Sequence, residues 1–212
     1  MMRAVTMVSQ ASLALLLAAP LAAQVPAGWQ MRVDRSTNAA DPDDVPDVKF
    51  VTMGQGFHVT TGPAVVVWNP ANTATGAYTL TGRFRLTKPS GHNNYYGLVF
   101  GGGDLAGAGQ NYLYFLVGQN GTFLVNHRAG DQVHQVQSRT PHATIARPDS
   151  ASGSSVNTLE VRVGADKIDY VINGQVVHST PKAGMTSRTD GIWGARVNHL
   201  LDVHIDQLGV SK

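Results

Sequence analysis

The chain has 212 residues, with 16 Lys and Arg against 14 Asp and Glu, and no cysteine. Charged residues are only 14% and hydrophobic ones 42%, which excludes both the clustered basic surface of a nucleic-acid binder and the composition of a disordered chain. The missing cysteines exclude a disulfide framework, a thiolate metal site and a thiol nucleophile.

Acidic usage is skewed: Glu160 is the one glutamate among 14 acidic residues. Glu is a good helix former, so its scarcity beside abundant Gly, Thr, Val and Asn points to an all-β chain. It also removes any mechanism that needs two glutamates.

Read from its start, the chain opens on an export leader over 1–23. Arg3 supplies the charge, and Ala11 to Ala19 (ASLALLLAA) is an apolar core shorter than the ~20 residues a membrane span needs. Cleavage is expected after Ala23, leaving 24–212 as a single domain with no membrane span, exported to the periplasm or the extracellular space. Next comes Asp41-Pro42-Asp43-Asp44-Val45-Pro46-Asp47. Asp41, Asp43, Asp44 and Asp47 are weak candidates for a calcium ion, whose ligands are such oxygens. The other reading is a solvated acidic loop, and no cofactor is expected otherwise.

From residue 63 onward, strand patterns follow one another. The segments 63–68, 95–100 and 112–117 are apolar on both faces, which suits central strands. Segments 78–86, 159–163, 168–172 and 201–206 alternate with period two. Gly101-Gly102-Gly103-Asp104-Leu105-Ala106 fits a dinucleotide-binding spacing, but no helix follows to cradle a phosphate. Asn120-Gly121-Thr122 is a glycosylation sequon inside a turn. Residues 139–155 read as a loop excursion, and Asn173-Gly174 as a two-residue hairpin turn in which both positions favour φ > 0. About fourteen short strands and no convincing amphipathic helix give an all-β, two-sheet antiparallel sandwich of jelly-roll type.

Two constellations carry chemistry. Tyr112 and Tyr114 lie opposite Leu113, Phe115 and Val117, so they line the outer face of a sheet if the latter three face the core. Asn126, Arg128 and Arg196 join them by the same parity. Aromatic rings there would stack on sugars; the alternative is a large core with tyrosine hydroxyls at its rim. The second constellation is Asp202, His204 and Asp206, three residues on one face of the last strand. They are catalytic candidates, since a His flanked by carboxylates is a tunable base, or they form a solvated polar face. Trp29, Trp68 and Trp193 read as packing residues.

Three blocks carry a resemblance: Asn111–Val117 with Asn120–Val125, Asn157–Val163 with Asp169–Val177, and Gly191–Val197 with Asp202–Asp206. Together, over roughly 28–210, the chain resembles concanavalin A-like lectin/glucanase domains, especially laminin G-like and bacterial 3-keto-disaccharide hydrolase-type domains. The resemblance implies a jelly roll and a carbohydrate or other polar small ligand. It also marks departures. The laminarinase-like E-x-D-x-x-E strand is missing, and Asn111–Val117 lacks the carboxylate of the hydrolase domains. The expectation is therefore glycan binding without catalysis. A hydrolase of the 3-keto-disaccharide type and a passive adhesion or assembly module are the alternatives.

Overall fold

A computed structural model describes residues 25–38, 40–151 and 153–212; the expected leader over 1–23 lies outside the described residues. In chain order the strands are β1 (Gln30–Asp34), β2 (Lys49–Met53), β3 (Gly56–Thr60), β4 (Ala64–Ala74), β5 (Tyr78–Lys88), β6 (Tyr95–Gly103) and β7 (Asn111–Gly118). They continue as β8 (Thr122–Ala129), β9 (Gln132–Pro141), β10 (Ser155–Val163), β11 (Lys167–Ile172), β12 (Gln175–Pro181), β13 (Gly191–Val197) and β14 (Asp202–Ser211). Two three-residue 3-10 turns, Pro42–Asp44 and Gly184–Thr186, complete the regular structure. No helix among the described residues is long and apolar enough to cross a membrane.

The strands form two seven-stranded sheets. The first has the order β1-β4-β13-β6-β7-β8-β9 and the second β12-β11-β10-β5-β14-β3-β2, with every pairing antiparallel. Six of the twelve pairings join strands that are not consecutive in sequence, as in a jelly roll. The period-two segments deliver their apolar residues to the space between the sheets. Leu80, Phe84 and Leu86 of β5, Leu159 and Val161 of β10, and Val203 and Ile205 of β14 are fully buried there. Opposite them from the first sheet come Tyr96, Leu98, Leu113, Phe115 and Ala195. Burying side chains of this size contributes ~1.5–3 kcal/mol each.

Two polar devices hold this core in register. Asn157 is 1% exposed, and its amide donates to the Tyr96 hydroxyl at 3.2 Å and to the Ala146 carbonyl at 3.0 Å. Its Oδ1 accepts from the Ala146 amide at 2.9 Å. Burial pushes the Tyr170 hydroxyl up to about 12, with Thr180 beside it lowering it slightly. The Asn173-Gly174 turn has the expected backbone, with φ of 49° and 82°, which matches a primed hairpin turn. The excursion begins later than the sequence suggests, because β9 runs on to Pro141 and only 142–154 leaves the sheet.

Candidate functional site

The first sheet carries a second apolar layer on the face turned away from the second sheet. Val66 and Trp68 of β4, Tyr95 and Val99 of β6, Tyr112, Tyr114 and Leu116 of β7, and Leu124 of β8 pack together there. This is why β4, β6 and β7 are apolar on both faces: one face meets the core and the other this layer. A single register row crosses the sheet as Gln30, Trp68, Gly194, Val99, Tyr114, Asn126 and Gln135. Leu105, from the loop joining β6 to β7, adds to the layer. The Gly107 carbonyl of the same loop accepts from Arg32 Nη1 at 2.6 Å.

Tyr112, Tyr114, Asn126, Arg128 and Arg196 all lie on this face. The tyrosines differ from the expected stacking platform, because Tyr112 is 1% and Tyr114 7% exposed. The rings form a floor, and polar groups cover it. Arg196 Nη1 donates to the Tyr112 hydroxyl at 3.2 Å and to Asp34 Oδ2 at 2.7 Å, while its Nε reaches Asn198 Oδ1 at 3.0 Å. The same guanidinium stands 5.6 Å from the centre of the Tyr114 ring, a cation–π distance. Gly97 and Gly194 put no side chain beside Arg196, so nothing competes for that position. Asn126 Nδ2 donates to the Tyr114 hydroxyl at 3.1 Å. Arg128 lies opposite Tyr112 and gives its Nε to the Gly130 carbonyl at 2.7 Å.

Electrostatics explain why this arrangement holds. Burial alone would raise the Asp34 carboxyl; the charge and hydrogen bond of Arg196, helped by Arg128 and Arg32, outweigh it and keep Asp34 below its usual range. Burial likewise raises the Tyr112 hydroxyl, with Arg196 opposing, so it remains a neutral phenol. For Arg196 burial favours loss of the charge, but the charge and hydrogen bond of the Asp34 carboxylate hold the proton more strongly.

Beside this floor, β8 and β9 form an open groove of about 510 Å3, lined by Leu124, Asn126, Val133, Gln135, Gln137, Ser138 and Arg139. Three amides supply paired donors and acceptors, a hydroxyl adds one of each, and Leu124 offers an apolar contact. Arg139 sits 5.4 Å from the centre of the Tyr95 ring. Sequence reasoning missed Asp34, Gln135, Gln137 and Arg139. Strand β9 (QVHQVQSRTP) is polar on both faces, so its alternation is faint. Asp34 is tied to Arg196 only through the fold.

Asp202, His204 and Asp206 do share one face of β14, on the outer side of the second sheet. His58 of β3 lies directly opposite His204, an adjacency that the sequence does not reveal. His58 Nε2 is 3.6 Å from Asp202, His204 Nε2 is 3.8 Å from Asp206, and Arg83 holds Asp206 at 3.0 Å. Both histidine contacts are too long for hydrogen bonds, and this cluster is on the opposite side of the sandwich from the amide groove. The lone glutamate, Glu160, is paired with Arg162 at 2.8 Å on β10 of the second sheet.

The calcium reading of the acidic loop is not supported by the geometry. Asp41 accepts from the Asp43 amide, Asp44 from the Ser36 amide, and Asp47 and Asp43 face Arg35 and His92. Each carboxylate serves its own turn or partner, so the four do not converge. Among the described residues no group of three or more His, Asp or Glu could hold a metal ion.

No protein-family model matches the sequence, and no curated protein does either. Solved structures do match. The carbohydrate-binding module CBM66 from Bacillus subtilis aligns with a TM-score of 0.59 at 10% identity, covering 87% of this chain and 96% of that one. A Bacillus subtilis protein of unknown function with a galectin-like fold aligns with a TM-score of 0.61 at 14% identity, covering 86% and 88%. A Bacteroides ovatus mixed linkage glucan GH16, solved in complex with a product, gives 0.55 at 9% identity, covering 84% and 92%. At such identities the likeness is one of fold: the chain shares the jelly-roll β-sandwich of these structures.

Proposed function

We propose that this chain is an exported glycan-binding domain that holds a saccharide on the outer face of its first sheet and does not turn it over. The amide-lined groove over an aromatic floor carries the reading. Asn126, Gln135 and Gln137 offer amide donors and acceptors to hydroxyls, with Asn126 positioned by the Tyr114 hydroxyl and Gln137 by Thr140. Sites of this kind combine apolar contact with a few placed polar groups. Binding without turnover is favoured because the carboxylate on this face, Asp34, is spent on Arg196 and Arg32. Glycoside hydrolysis ordinarily uses two carboxyl groups ~5–9.5 Å apart across the ligand, and Glu160 is on the other sheet. Export rests on the leader pattern of residues 1–23. The fold neighbours, which include a carbohydrate-binding module, agree with a glycan ligand.

The test is calorimetric titration of the mature chain against neutral and acidic polysaccharides and their oligosaccharides. Saturable binding that Asn126→Ala or Gln135→Ala abolishes supports the reading. Silence across the panel, or binding indifferent to both substitutions, overturns it. An enlarged periplasmic or secreted fraction on expression of the full chain, with residues 1–23 missing from its mass, tests export.

A further inference from the structure

The two outer faces of the sandwich differ in charge balance. On the second sheet most bases are matched, with Arg83 on Asp206 at 3.0 Å, Arg162 on Glu160 at 2.8 Å and Lys167 on Asp169 at 3.0 Å, while the exposed Arg85 and Lys49 have no ion pair among the described residues. On the first sheet, Arg32, Arg128, Arg139 and Arg196 share one carboxylate. Arg32 and Arg196 both converge on Asp34, at 3.3 and 2.7 Å. Arg139 has no carboxylate partner among the described residues and lies against Tyr95, while Arg128 gives its Nε to a backbone carbonyl and acts on Asp34 only through its charge, without a salt bridge.

We infer that the glycan held on this face is acidic, carrying carboxylate or sulfate groups, and that Arg139 is the side chain that reads the charge. The inference rests on the glycan-binding reading above and adds its substrate class. Arg139 is exposed at the rim of the amide groove. Its guanidinium is a planar fork of N–H donors within reach of a ligand in the groove, suited to a bidentate pair with an anion. The groove lining contains no acid to repel or replace a ligand anion. Arg128, two register positions from Asn126 on β8, adds a second positive charge along the same strand. Because Asp34 is already neutralised by two guanidinium groups, it does not cancel this field.

The experiment compares polygalacturonate, heparin and carboxyl-reduced polygalacturonate as ligands for the mature chain at low and high salt. Arg139→Gln is set against Arg85→Gln, an equal charge change at an exposed position on the second sheet. Acidic chains should bind, more weakly at high salt, and the carboxyl-reduced chain should lose at least about tenfold in affinity. Arg139→Gln should cost about tenfold while Arg85→Gln stays within about twofold. Preference between polygalacturonate and heparin separates carboxylate from sulfate recognition. Equal loss from both substitutions would reduce the effect to net charge and overturn the inference. Equal binding of the reduced chain, abolished by Asn126→Ala, would overturn the acidic class and leave the glycan reading standing. No binding of any glycan would remove both.

Discussion

Arg196 of β13 and Asp34 of β1 meet at 2.7 Å although 162 residues separate them and the strand β4 runs between theirs. The pair spans that strand diagonally, since Asp34 lies opposite Ala64 and Arg196 opposite Val66. It thereby ties the edge strand β1 to the centre of the sheet. Removing one partner leaves the other charge buried without compensation, which costs ~3–5 kcal/mol in a dry interior. The side chains are 12% and 17% exposed, and Arg32 remains near Asp34, so the lower end applies. Asp34→Ala should therefore destabilise the domain by about 3 kcal/mol in urea unfolding. Arg35→Ala breaks a pair whose side chains are 50% and 84% exposed, and it should cost under about 1 kcal/mol.

The same pair fixes the sign of one acid response. The folded Asp34 carboxyl stays below its usual 3.8, so the unfolded chain takes up the proton first. Its stabilisation is complete above that value and is lost as pH falls through the folded one. Histidines act earlier and in the same sense. Burial lowers His127, assisted by His134 and Arg188, and burial lowers His178. The unfolded chain then protonates near 6.5 while the folded chain resists, so stability declines as pH drops below that point. His127→Gln should flatten the decline of unfolding free energy between about pH 7 and about pH 5. It should leave the Asp34 transition at lower pH in place. An unchanged slope would show that the stacked His127–His134 pair, 5.8 Å apart, carries no such linkage.

Floor and groove should separate under mutation. Tyr112→Phe removes a buried hydroxyl that accepts from Arg196, a loss of about 1 kcal/mol in stability, and it should leave ligand affinity within about twofold. Asn126→Ala should do the reverse: binding is abolished, with stability falling by no more than about 1 kcal/mol from the Tyr114 contact. Parallel thermal melts and titrations on the two variants check this. A Tyr112→Phe variant that lost its ligand would show that the hydroxyl reaches the saccharide.

Alternation made the sandwich legible, because a period-two pattern assigns each residue of β5, β10 and β14 to one side. Parity also placed Tyr112, Tyr114 and Arg196 on a common face. Parity is blind to depth, however. It cannot tell a ring that meets solvent from one roofed by a guanidinium, so the stacking platform became a floor. Nor does it see partners across strands. Asp34 sits in a five-residue strand with no strong pattern, and His58 becomes a neighbour of His204 only through β3–β14 pairing. The acidic loop shows a related limit. Four carboxylates close in sequence suggest convergence, but Asp41 and Asp44 turn back onto nearby backbone amides, a local competition typical of Asp.

Asn173 shows a turn residue with a second task. Its positive φ suits the hairpin, and so would a glycine's. Its side chain also accepts from the Thr158 amide at 2.8 Å and donates to the Thr144 carbonyl at 2.8 Å and to Asn157 Oδ1 at 3.0 Å. These bonds fasten the 142–154 excursion to β10. Asn173→Gly keeps the turn and removes the fastening, so it isolates the second task from the first. The expected loss is about 1–2 kcal/mol, with faster amide exchange at Ala146, whose N–H depends on Asn157. Asn173→Ala adds the strain of a left-handed backbone and should be worse by roughly 1 kcal/mol. If Asn173→Gly were as stable as the parent, the turn alone would account for the residue, and the excursion would be held by Asn157, by the Thr144 hydroxyl on the Ile172 carbonyl and by buried Ile145.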